Sequence, residues 1–374
     1  MPNAQVVPPR LSDLATSPEP TSRRHFLGKS AFGFAIGGAA LTACRDEESE
    51  PQAGAKGDTG TRAPLQNPNS RLDTALNVPH SPSTAVPAAS PTADVPFQRF
   101  DPTLPPLQAS RTLQLNWRAQ EVPVRISDNT VVAAWTFEGN LPGPIVHCRV
   151  GDTINFTLTN EGSIPHSMDF HAAQINPKEA FRSVMKGQSV SFTFTPKWAG
   201  AFMYHCGSSP VLMHIGAGMF GAIIVSPPTP LPAAKEFVLI QNEFYLGDAD
   251  ASGIRPFDYN KMLSTSPDFL SFNGRPMQYI AAPIRVKVGD RVRFWVVNCG
   301  PTHPCAFHVV GEQFDTMYLG APPGSPIRGC QTWDVAAGGG MCFELMCDVA
   351  GEFPFVNHGF GHGQKGAIGM LVVE

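Results

Sequence analysis

Val150-Gly-Asp-Thr-Ile-Asn-Phe-Thr-Leu-Thr-Asn160 returns 138 positions later as Val288-Gly-Asp-Arg-Val-Arg-Phe-Trp-Val-Val-Asn298. Both copies open on Val-Gly-Asp and close on asparagine. The residues between follow a period of two, the mark of a β-strand with one buried face. Further landmarks repeat around them. Phe137-Glu138-Gly139 matches Phe272-Asn273-Gly274, and Phe170-His171 matches Phe307-His308. Ala199-Gly200-Ala201-Phe202 matches Ala350-Gly351-Glu352-Phe353, and Gly221-Ala222-Ile223 matches Gly366-Ala367-Ile368. Ser189–Thr195 and Met341–Met346 alternate in the same way. With 35 Gly and 37 Pro, turns are frequent and long helices disfavoured. The repeat predicts an all-β chain of two tandem Greek-key β-sandwiches. Domain one is expected over 109–230 and domain two over 231–374, joined at the proline-rich turn 227–232.

The N-terminal residues read differently. Ser22-Arg23-Arg24-His25-Phe26-Leu27-Gly28-Lys29 is a twin-arginine export signature. An apolar Gly/Ala-rich stretch follows, too short to span a membrane stably. It ends in Leu41-Thr42-Ala43-Cys44, which resembles a bacterial lipoprotein cleavage box. Residues 1–44 are therefore expected to be a signal, with Cys44 as a lipid anchor outside the cytoplasmic membrane. Residues 45–108 are rich in Pro, Ala, Ser and Thr and are expected to be a disordered spacer. The net charge is −4, with no basic run beyond the N-terminus, which argues against a nucleic-acid partner.

The chemistry concentrates at His205-Cys206. His214 and Met219 follow, and His166-Ser-Met-Asp-Phe-His171 precedes them. Two imidazoles, a thiolate and a weak thioether are the ligand set of a blue-copper site. Neighbouring side chains on a strand point to opposite faces, so one metal does not readily take both His205 and Cys206. The same parity separates His166 from His171. The ligands sort into an inner set (His166, Cys206, His214 and Met219) and an outer half-site (His171 and His205). The outer half-site needs a third ligand, and domain two offers His303, His308, His358 and His362. These sandwiches with copper ligands in their loops are cupredoxin-like.

Over 109–374 the chain resembles the two-domain copper nitrite reductases. His166-Ser-Met-Asp-Phe-His171-Ala-Ala, Tyr204-His205-Cys206, Phe307-His308-Val-Val-Gly and Val356-Asn357-His358 carry the resemblance. It implies type 1 copper on His166, Cys206, His214 and Met219. It implies type 2 copper on His171, His205 and His358, the last from a neighbouring subunit of a homotrimer. Asp169 and His308 are the implied catalytic residues, and Val310 the aliphatic side chain over the substrate. The implied reaction is one-electron reduction of nitrite to nitric oxide in denitrification. Electrons would come from a small cupredoxin or cytochrome c, enter at type 1 copper and reach type 2 copper through Cys206-His205. The implied setting is periplasmic or otherwise extracytoplasmic.

Two features depart from the family pattern. The segment after His171 lacks a Gly-rich insertion, and His362 is an extra histidine near His358. Rival readings are a two-copper oxidoreductase for another small substrate and a non-catalytic type 1 electron carrier. A trinuclear oxygen-reducing cluster would need eight more histidines, mostly as His-x-His pairs. The chain has 11 histidines and no such pair. Cys148, Cys299, Cys305, Cys330, Cys342 and Cys347 leave disulfide pairing open. A Cys299–Cys305 bridge would stiffen the loop leading to His308.

Overall fold

Alternating apolar residues become sheet faces throughout the computed structural model, which describes residues 95–374. The expected signal, Cys44 and the spacer up to residue 94 lie outside the described residues. In the first half the strands are β1 (Thr112–Ser127), β2 (Thr130–Phe137), β3 (Val146–Arg149), β4 (Thr153–Asn160), β5 (Asp169–Phe170), β6 (Ser189–Phe194), β7 (Gly200–His205) and β8 (Phe220–Ser226). Next come β9 (Lys235–Phe244), β10 (Ile254–Arg255), β11 (Phe269–Phe272), β12 (Ala282–Val286), β13 (Arg291–Asn298) and β14 (Cys305–Val309). The last are β15 (Thr316–Tyr318), β16 (Pro326–Ile327), β17 (Thr332–Val335), β18 (Gly340–Met346), β19 (Gly351–Asn357) and β20 (Ile368–Val373).

The first sandwich has sheets β10-β2-β1-β4-β6 and β3-β8-β7-β5; the second has β11-β9-β13-β18-β15-β16 and β12-β20-β19-β14-β17. This is the two-domain, cupredoxin-like Greek-key architecture. In β4, Ile154, Phe156, Leu158 and Asn160 are buried, while Thr153, Asn155, Thr157 and Thr159 are half-buried. Two of these threonines pair across to β6, Thr157 with Ser191 and Thr159 with Ser189, each at 2.9 Å. Cross-strand hydroxyl pairs of this kind fix register on the wetter face.

Three cores hold the described residues together. One lies inside each sandwich. The third lies between them, because β8 and β13 are apolar on both faces. Ile223 and Val225 fill the first sandwich, while Ala222 and Ile224 face the shared core. Phe294 and Val296 fill the second sandwich, while Trp295 and Val297 face the shared core. Gly340, opening β18, lies against the Ala201 backbone of β7, and an added Cβ would overlap the Ala201 carbonyl.

The repeated asparagines have a local purpose. Asn160 is fully buried and donates to the Ile164 and Val184 carbonyls at 2.7 and 2.8 Å. Its side-chain oxygen accepts the Gly162 N–H. Asn298 bonds the His303 and Val335 carbonyls and the Gly300 N–H in the same pattern. Each asparagine pins the loop that carries the next histidine.

One expectation needs correction. The spacer expected to run to residue 108 is docked from residue 95 onward. Arg125 bonds the Val95 carbonyl, Arg275 the Gln98 carbonyl and Tyr279 the Phe100 carbonyl. Thr103 bridges to Phe237 and Leu104 is buried. Composition alone gave no sign of these partners, which lie far along the chain. The cysteine pairing that the sequence leaves open is settled in the same structure: Cys299 and Cys305 are unbridged, as are the other cysteines among the described residues. Cys299 is buried against the Gly221 carbonyl and Cys305 sits in the second core.

The shared core gives a test. Gly340→Ala forces backbone apart at the β7–β18 contact, and overpacking of this kind costs about 1–3 kcal/mol. Thermal or denaturant unfolding should show that loss; an unchanged midpoint would mean the two sandwiches are not packed this closely.

Candidate metal centres

The end of β7 separates two sets of ligands. Tyr204 and Cys206 are fully buried, while His205 between them keeps an exposed edge. Across the sheet Asp169 pairs with His205 and Phe170 with Tyr204. His166 is buried and His171 exposed, so this pair and the His205–Cys206 pair both divide as strand parity predicts.

The inner set converges inside the first sandwich. Cys206 Sγ lies 3.2 Å from His214 Nδ1 and 3.9 Å from His166 Nδ1, and the two Nδ1 atoms are 3.3 Å apart. Metal bonds of about 2.0–2.3 Å to imidazole and thiolate, as at zinc, would set such atoms roughly 3.3–4 Å apart around one ion. The donor set and spacing therefore fit a metal, with no rearrangement. Burial pushes the pKa of both imidazoles down to about 4, so both rings are neutral at pH 7 and keep a lone pair to offer.

The surroundings fix these atoms. The Ser167 N–H points at Cys206 Sγ from 3.3 Å, and the Ser167 hydroxyl accepts the Gly207 N–H. His214 sits on the short helix Val211–Gly216. The chain then turns back at Gly218, whose φ is +118° and where a Cβ would meet the Trp135 carbonyl and Leu141. That turn brings buried Met219 home: its N–H bonds the His214 carbonyl and its carbonyl accepts the Cys206 N–H, both at 3.1 Å. Trp135 stands edge-on to both histidines, at 4.9 Å from His214 and 6.0 Å from His166.

The outer set lies on the other face of the same strand end. His171 Nε2 and His205 Nε2 are 3.1 Å apart, and Asp169 Oδ2 is 3.9 Å from His205 Nε2. Each ring is held from behind. His171 Nδ1 lies 3.0 Å from the Gly338 carbonyl, and His205 Nδ1 lies 2.9 Å from the Cys206 carbonyl. A carbonyl only accepts, so in the neutral rings Nδ1 carries the proton and both Nε2 lone pairs face outward together. Burial also lowers the His205 pKa, against the raising effects of the Cys206 carbonyl and Asp169. Two imidazoles and a nearby carboxylate make an incomplete metal site.

His308 and His358 lie together on the second sandwich, with ring centroids 5.3 Å apart. His308 Nδ1 is 2.6 Å from the Gln331 carbonyl, which leaves its Nε2 free in the neutral ring. His358 follows β19 and is exposed, with its N–H on the Ala306 carbonyl. Val310 is half-buried just beyond β14. Among the described residues the metal-ligating side chains gather in two groups, His166-Cys206-His214 and Asp169-His171-His205. A single chain does not bring His358 into the outer group.

Sequence reasoning missed the carbonyl partners, Gly338 and Gln331, because a backbone acceptor leaves no side-chain signature. The run Gly338-Gly339-Gly340 was the available hint, since strand glycines often mark close backbone approach. It also missed Trp135 and the Ser167 N–H.

Comparison with known proteins agrees with this geometry. The multicopper oxidase family profile matches residues 118–230. The copper-containing nitrite reductase of Neisseria meningitidis serogroup A is 37% identical over 263 residues, covering 68% of this chain and 67% of that protein. The solved copper nitrite reductase of Nitrosomonas europaea superposes with a TM-score of 0.66 at 34% identity, over 70% of this chain and 94% of the other. The copper-containing nitrite reductase of Thermus scotoductus gives 0.65 at 28% identity, over 70% and 62%. Two ligand clusters on opposite faces of one strand end, in paired cupredoxin-like sandwiches, together with this likeness, place the chain in the copper-containing nitrite reductase family.

Proposed function

We propose that the protein reduces nitrite to nitric oxide, NO2− + e− + 2H+ → NO + H2O, with two coppers per chain. The observation that carries this reading is the outer pair. Two Nε2 lone pairs converge 3.1 Å apart beside Asp169, one residue from the thiol of the inner set. Copper, when bound, supplies one-electron exchange at the inner ligands and an open position for nitrite at the outer ones. The peptide between Cys206 and His205 joins the two ligand sets covalently and gives the electron its route.

Each remaining residue has a role in this reading. Asp169, beside the converging nitrogens, donates a proton to the nitrite oxygen that leaves as water. His308, held by the Gln331 carbonyl, supplies the second proton or orders the water that carries it. Val310 limits how nitrite lies. His358 completes the outer site from a neighbouring subunit, which requires a homotrimer and explains why one chain leaves the pair unfinished. We assign 109–230 and 231–374 as the two domains. We further propose export by the twin-arginine route and tethering through Cys44, with a small cupredoxin or cytochrome c as electron donor.

Copper-loaded protein with an artificial donor should release nitric oxide from nitrite. Asp169→Asn should lower that rate by roughly 10²-fold or more, with copper content retained. His358→Ala should lose the outer copper and keep the inner one. No nitric oxide from wild type shown to hold both coppers would overturn the nitrite reading. Light scattering should give a trimer; an active monomer would contradict the shared site. Cys44→Ser should move the protein from the membrane to the soluble fraction of the host, and an unchanged distribution would remove the anchor.

A further inference from the structure

The second sandwich repeats the loop closure that holds the inner cluster of the first. There the Cys206 N–H bonds the Met219 carbonyl, and the Met219 N–H bonds the His214 carbonyl. Here the Asn357 N–H bonds the Ala367 carbonyl at 3.0 Å, and the Ala367 N–H bonds the His362 carbonyl at 3.3 Å. In both, the histidine rides a short helix, Val211–Gly216 or Phe360–Gln364. In both, its ring faces a second histidine from the loop that the buried asparagine pins. His166 and His214 have ring centroids 5.1 Å apart; His303 and His362 have them 4.7 Å apart. Asn357 and Ala367 occupy the closing positions that Cys206 and Met219 hold in the first sandwich. The sulfur donors are missing and the imidazoles remain.

Each ring keeps one nitrogen that no neighbour claims. His303 Nε2 lies 2.9 Å from the Thr265 carbonyl, so in the neutral ring Nε2 carries the proton and Nδ1 is a lone pair. His362 Nδ1 lies 3.4 Å from Asn357 Nδ2. That amide nitrogen has only two hydrogens, and two nearer acceptors take them: Gln241 Oε1 at 2.8 Å and the Pro304 carbonyl at 3.0 Å. The His362 lone pair is left unclaimed. Both residues are half-buried, so solvent reaches them. Neither has a part in the nitrite chemistry.

We propose that His303 and His362 form a further metal site, one per chain, which takes a borderline divalent cation such as Zn2+ through two imidazole nitrogens and water. Imidazole suits zinc, copper and nickel alike. Lacking a thiolate, the site has no blue-copper character. The inference stands apart from the nitrite reading, since the test below reads metal content and not turnover.

The experiment is equilibrium dialysis of the copper-loaded, full-length protein against low-micromolar Zn2+, with zinc and copper both counted by mass spectrometry. Wild type should hold one zinc per chain beyond its coppers. His362→Ala, on an accessible helix, should lose that zinc with its copper unchanged, and His303→Ala should do the same. Asn357→Asp, which puts a carboxylate beside His362 Nδ1, should tighten zinc roughly tenfold or more. Equal zinc in wild type and His362→Ala, or unaltered affinity in Asn357→Asp, would overturn the site.

Discussion

On an extended strand, two adjacent side chains cannot enter the same cavity. At the end of β7 that constraint sends Cys206 into the sandwich and His205 to its surface. Every other ligand follows from this division. His166 and His214 gather around the buried sulfur; His171 and Asp169 gather around the outward imidazole. The two groups are one peptide bond apart, yet one is sealed from water and the other reaches it. A site that accepts electrons benefits from a dry, rigid shell. A site that must admit a small anion and protons needs an opening.

The rest of the fold holds this strand end still. The core between the sandwiches packs the outer face of β8 and β7 against β9 and β13. The Gly338 carbonyl then reaches His171 from a loop 167 residues further along the chain. One half of the molecule thus orients a ligand of the other. Within the first sandwich Tyr204 is wedged tightly: its hydroxyl donates to the Pro144 carbonyl at 2.6 Å, and burial raises its pKa well above the usual value. It serves as a neutral strut beside His205 and Cys206. Gly143 and Gly221 leave it room, since a Cβ at either would collide with its hydroxyl.

Much of this was legible in the sequence. Strand period gave the sheets, strand parity divided the ligands, and the repeat located both sandwiches. The repeated asparagine was legible as a landmark but not as a cause; only the structure shows it tying down the histidine loops. What sequence could not carry were contacts made by backbone carbonyls and by residues distant in the chain. Residues 95–108 looked too poor in apolar side chains to dock, yet they are held mainly by main-chain hydrogen bonds to Arg125, Arg275 and Tyr279. The cysteines around the His308 loop left pairing open in the sequence; in the structure Cys299 and Cys305 face different cores.

The two halves share one plan and differ at the strand end. The first has sulfur at its strand end, while the second has Asn357 there and exposes His358 beside it. Cys206 and His205 therefore sit in different ligand groups, each able to hold its own metal. An anomalous-difference map from crystals of the copper-loaded protein, collected at the copper edge, tests this directly. Two separate peaks are expected, one among His166, Cys206 and His214 and one at the Nε2 atoms of His171 and His205. A single copper bound by both Cys206 and His205 would contradict the account, as would copper at the inner site with none at the outer.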